Sequence, residues 1–96
     1  MNLSLKMNNM YKNYIPKAVT ANDTTTVGQC VLAGIYINKV MTGTLIVKDG
    51  TVVLGTIAAA TPAGSYWVDP QGTSFGNLVL VSNSAADDIS IAVSAV

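Results

Sequence analysis

The stretch Gly43-Thr-Leu-Ile-Val-Lys-Asp-Gly50-Thr-Val-Val-Leu-Gly55-Thr-Ile57 constrains the fold more than any other part of the chain. Leu45 and Val47 alternate with Thr44, Ile46 and Lys48, the two-residue period of a strand. Asp49-Gly50 supplies a two-residue turn of the kind that closes a tight hairpin. On the return, Val52 and Leu54 alternate with Thr51, Val53 and Gly55. A two-stranded ribbon is marginal alone in water, so the flanking segments must supply the sheet it joins.

Those segments carry the same signal. Val27 to Val40 is the longest strand-like run, and Gly34 inside it marks a bulge, bend or close backbone contact. Strict alternation puts Val31, Ala33, Ile35 and Ile37 on one face and Cys30, Leu32 and Tyr36 on the other. A strand with two apolar faces is expected to lie between a core and a subunit interface. Ala58 to Gly64 reads as a strand end and a loop, because Pro62 and Gly64 stop any helix within a turn. Ser65 to Val68 is a short strand in which Tyr66 and Trp67 face opposite ways. Asp69-Pro-Gln-Gly72 has the residues of a tight turn. Phe75 to Val81 follows, with Leu78 and Leu80 on one face, then a loop over 82–88. Ile89, Ile91, Val93 and Ala95 close the chain in the cleanest half-buried alternation it contains.

Six or more short strands, no helix and turns rich in Gly, Asn, Asp and Pro predict an all-β fold. The expected form is a small antiparallel β-sandwich of jelly-roll or immunoglobulin-like connectivity, with an extended N-terminal arm. Residues 1–26 are that arm, ordered in part by a neighbour, with one short strand near Leu3–Met7. Residues 27–96 are the sandwich domain. The arm holds Lys6, Lys12 and Lys17 and no acid before Asp23. Tyr11, Tyr14 and Ile15 are costly to leave in water and are expected contact residues.

Composition narrows the function. Only 10% of the chain is charged, against roughly 25% in an ordinary globular domain. Formal net charge is zero, which removes the usual electrostatic protection against association. Both favour a surface hidden in an assembly. There is no histidine and no glutamate, so a Ser–His–Asp or Cys–His arrangement is impossible and zinc loses its usual ligand. Cys30 is the single cysteine, which excludes an intrachain disulfide and reads as a small apolar side chain in a strand. Asp87, Asp88 and Asn83 lack the spacing of a calcium loop, and no glycine precedes a helix that could hold phosphate. The expectation is therefore no enzyme, no cofactor and no metal. Two lysines in the body make a poor phosphate grip, so no direct nucleic-acid partner is expected. No apolar run reaches a membrane span, and the polar opening residues lack a signal-peptide core, so synthesis in the cytoplasm is expected.

The run Leu32-Ala-Gly-Ile-Tyr-Ile-Asn-Lys39, the hairpin Gly43–Gly50, Gly55-Thr-Ile57, Gly64-Ser-Tyr66, Phe75-Gly-Asn-Leu-Val-Leu-Val81 and Asp88-Ile-Ser-Ile91 together resemble small virion proteins of tailed bacteriophages. The resemblance spans about residues 30–93 and leaves the basic arm unmatched. It implies a β-sandwich structural subunit, a capsid decoration or other head- or tail-associated protein, located in the virion. Its partners would be phage capsid or tail proteins and further copies of itself. Closed symmetry, trimer first, is expected, with Tyr11, Tyr14, Ile15, Val31, Ala33, Ile35 and Ile37 forming the oligomer interface, or the opposite Leu32 and Tyr36 face in place of the Val31 row. Two other readings stand beside it. One is a carbohydrate- or receptor-binding fibre module with Tyr66, Trp67 and Asp69 as the ligand platform. The other is a phage-encoded factor that acts on a host target.

Overall fold

A computed structural model of the chain describes residues 14–95. Within it, six strands form one continuous antiparallel sheet: β1 (Ile15–Val19), β2 (Thr24–Ile37), β3 (Leu45–Asp49), β4 (Val52–Ile57), β5 (Gly64–Ser82) and β6 (Ile89–Ala95). Their order across the sheet is β1-β6-β2-β5-β3-β4. The long strands β2 and β5 form the middle. β6 pairs with β2 over Cys30–Ile37, and β3 pairs with β5 over Leu78–Ser82. The two outer groups therefore attach to different halves of the β2–β5 ribbon.

That ribbon is sharply bent, as the connections require. Val19 pairs with Ile89, and Ile89 pairs with Ile37. With strands roughly 4.8 Å apart, Val19 stands roughly 10 Å from the end of β2. Only Thr20 to Asp23 join Val19 to the start of β2 at Thr24, a reach of roughly 18 Å at most. Thr24 and Ile37 are thus no more than roughly 28 Å apart, where a straight strand of this length would span roughly 44 Å. The β2–β5 register slips at Thr26/Gly28, Gly28/Cys30, Leu32/Gly34 and Ile35/Tyr36, irregularities of the kind that bend a strand. Gly28 holds a φ of 87° there, a conformation that side-chain-bearing residues rarely adopt.

Folding the ribbon encloses a single apolar cluster. Leu32, Ile35 and Ile37 of β2 meet Leu45 and Val47 of β3, Leu78 and Leu80 of β5, and Ile89, Ile91 and Val93 of β6. Met41, from the β2–β3 connection, is buried in the same cluster. Its amide donates to Thr61 O and its carbonyl accepts from Ala60 N, which fixes the 58–63 loop over that end. The molecule is a compact all-β domain.

Several sequence expectations change in this light. The β3–β4 hairpin exists, with Leu45 and Val47 inward as alternation requires. Its two turn residues, however, are Gly50 and Thr51, since Asp49 still pairs with Val52. Asp49 is held in the strand by β5: its Oδ1 accepts from Asn77 N at 2.9 Å, and Gly50 N donates to Asn77 O at 2.7 Å. Asp69–Gly72 does not separate two strands. Val68 pairs with Gly34 and Thr73 with Leu32, so the four residues between them bulge out of one continuous β5. The faces assigned to β2 also change. The slip at Ala33 turns Ile35 and Ile37 to the side of Cys30 and Leu32, inside the core. Val31, by contrast, is buried outside that cluster. The boundary drawn between 26 and 27 falls inside β2, and Ile15–Val19 is an edge strand paired to β6. The short strand expected near Leu3–Met7 lies outside the described residues.

Candidate functional site

Three surface features could carry function: the β5 bulge with its neighbours, a groove beside β1, and the two edges of the sheet. The β5 bulge is built by local chemistry. Asp69 Oδ1 accepts from Gly72 N at 3.2 Å, and Asp69 Oδ2 accepts from Thr73 Oγ1 at 2.9 Å. Gly72 has a φ of 85° and packs so closely under Val31 Cγ1 and the Tyr14 hydroxyl that no Cβ fits. Tyr14 Oη is buried there without a hydrogen-bond partner. Burial, and then the nearby Asp69 carboxylate, push the Tyr14 phenol above its ordinary range.

The bulge does not assemble the expected ligand platform. Trp67 turns to the core and packs against Phe75, with ring centroids 5.9 Å apart and planes tilted by 49°. Tyr66 lies outside, over Gly64, and its hydroxyl donates to Pro62 O at 2.5 Å. Both oxygens of Asp69 are used within the bulge. Three side chains expected at one site therefore serve three different neighbourhoods.

The expected oligomer interface fares similarly. Ile35 and Ile37 are 0% and 2% exposed in the core of the single chain and offer nothing to a neighbour. Val31 is covered by the bulge, and Ala33 is half-buried. Ile15 is 64% exposed on β1. Tyr11 lies outside the described residues.

A groove of about 320 Å³ runs between β1, β6 and the first half of β2. Ile15, Pro16, Val27, Cys30 and Val93 give it aliphatic walls, with Lys17 contributing a cation. Burial, and secondarily the charge of Asp49, push the Cys30 thiol up, so at neutral pH it is a protonated wall residue and no nucleophile. Asp87 is the one buried acid among the described residues. Its Oδ1 accepts from Thr42 N at 2.8 Å and Gly43 N at 3.3 Å, while Oδ2 is buried without a partner. Asp88 and Asn83 are likewise spent on side-chain and backbone contacts, accepting from Asn38 Nδ2 and Thr44 N respectively. Among the described residues, no three of His, Cys, Asp or Glu come together as metal ligands.

The sheet edges differ from one another. β1 carries Pro16 and Lys17, which remove a backbone donor and add a charge. β4 carries neither, and Val52, Val53 and Leu54 are 60%, 57% and 50% exposed. Sequence reasoning gave β4 only its alternation, with Val52 and Leu54 on one side and Val53 on the other. It missed the edge position, which only the pairing of β3 with β5 determines. Comparison of the chain with models of known protein families, with curated proteins and with solved structures finds no match.

Proposed function

We propose that the chain is a non-enzymatic structural subunit of a bacteriophage particle, a capsid decoration or other head- or tail-associated protein that assembles with copies of itself. The observation that carries this reading is the uncharged apolar surface along β4. Residues 51–68 contain no charged side chain, and three consecutive large apolar residues there are exposed. A monomer in water gains nothing from such an edge, whereas a subunit in an assembly buries it. The low overall charge and the resemblance of residues 30–93 to virion proteins point the same way.

In this reading the bent sheet works as a β-sandwich, its two halves closing over the shared core, of jelly-roll or immunoglobulin-like kind. The protein is made in the host cytoplasm and resides in the virion, beside capsid or tail proteins. The engaged Asp69 and the inward Trp67 leave the sugar-binding alternative without its platform. Mass spectrometry of purified particles tests the proposal: the polypeptide is expected in intact virions. Its recovery from infected-cell lysate alone would overturn the structural role.

A further inference from the structure

We infer that β4 is a homotypic pairing strand, on which a second copy of this chain adds antiparallel about a two-fold axis at Thr56. The inference rests on the self-assembling reading above and names its surface. The β3–β4 ladder runs regularly as Leu45↔Ile57, Ile46↔Thr56 and Val47↔Gly55, then slips by one residue, leaving Leu54 as the extra residue before Val53↔Lys48. Leu45 and Val47 are core residues, so Gly55 and Ile57 share the core-side face and Thr56 points outward with Ile46.

A two-fold axis normal to the sheet at Thr56 keeps both copies' faces aligned and centres the pairing on the regular part of the strand. It sets Thr56 opposite Thr56 and Gly55 opposite Ile57, with the bulged Leu54 opposite Ala58, just past β4, at the two ends. Each pair joins a small partner to a large one, or two threonines, which pair well across strands. The Gly55 position is open: nothing lies within 4 Å of where its Cβ would stand. Ile57 of the second copy fills that space.

The occupant is a second copy for two reasons. The edge strand Val52–Ile57 and the loop that follows it carry no charge, so they attract no charged partner and identical copies meet without repulsion. The chain's other edge is blunted by Pro16 and Lys17, so copies cannot pair as readily through β1. The contact is isologous and can combine with a ring made elsewhere into dihedral symmetry. A pairing this short buries less than about 1,000 Å², which places it among weak contacts, strengthened only by multivalency in a particle.

Sedimentation velocity of the full chain over a concentration series tests it, beside Thr56→Lys, Gly55→Val and a Thr26→Lys control. Thr56→Lys puts like charges directly opposite at the axis, and Gly55→Val closes the notch. Both sites are open enough to leave the fold unchanged, which far-UV circular dichroism checks. The native chain and Thr26→Lys are expected to dimerise at micromolar to high-micromolar concentration, and the two β4 variants at least tenfold more weakly. Hydrogen exchange at Gly55–Ile57 should slow with concentration in the native chain only. A native chain that stays monomeric, or β4 variants that associate as it does, would overturn the pairing. Particles that lack the protein while the purified chain still dimerises through β4 would overturn the virion reading and leave the pairing standing.

Discussion

Asp87 is the residue whose removal the fold should feel most for its size. Its carboxylate receives two amides of the β2–β3 connection, which carries Met41 into the core. Asp87→Ala strands both donors at a part-buried site, an expected loss of about 2–3 kcal/mol. Asp87→Asn keeps an acceptor and should lose less than half of that. Urea unfolding of the two variants measures the difference, and an Asp87→Ala midpoint equal to the native one would contradict the capping role. Cys30 gives a second prediction at this scale. Its thiol pKa is raised by folding, so its contribution to stability is complete below about pH 8.5 and is lost as pH rises through the folded-state value. The urea midpoint should fall above about pH 9, with the Tyr14 phenol adding its own loss at still higher pH. Cys30→Ala should flatten the first part of that fall. At pH 7.5, a thiol reagent should label native Cys30 far more slowly than the urea-unfolded chain.

At the scale of elements, the β5 bulge is the point where local and non-local forces separate. Asp69, Gly72 and their hydrogen bond are turn chemistry, legible in Asp69-Pro-Gln-Gly72. Whether such a turn reverses the chain or returns it to the same ladder is decided by β2, which pairs with both flanks. Sequence cannot weigh that choice. Gly72→Ala adds a Cβ against Val31 and Tyr14 in a left-handed conformation, so thermal unfolding should show a loss of about 2 kcal/mol or more. Gly55→Ala, in open space, should cost almost nothing by comparison. The same division explains β2. β6 and the inner face of β3 were legible because unbroken alternation fixes their faces. In β2, one extra residue at Ala33 exchanges the faces of everything beyond it. Gly34 signalled an irregularity there, but not which side Ile35 and Ile37 would take. β1 was hidden for a related reason: Pro16 reads as an arm, and only β6 makes it a strand.

For the whole molecule, the expected all-β fold rests on features that local sequence carries well: short alternating runs, turn residues and no helix. The candidate surface was far less legible. Ile35 and Ile37 of β2 were expected at a subunit contact and are core, whereas β4, read only as the returning arm of a hairpin, forms an apolar edge. Both are β-rich and apolar, and hydropathy alone does not distinguish a central strand from an outer one. The resulting account is of a chain that spends its acids on loop geometry and leaves a neutral strand for its neighbours. Quantitative mass spectrometry of purified particles, read as copies per virion, tests that account most directly. A structural subunit predicts many copies per particle, in fixed ratio across independent preparations. Trace amounts below one copy per particle, varying from preparation to preparation, would contradict it.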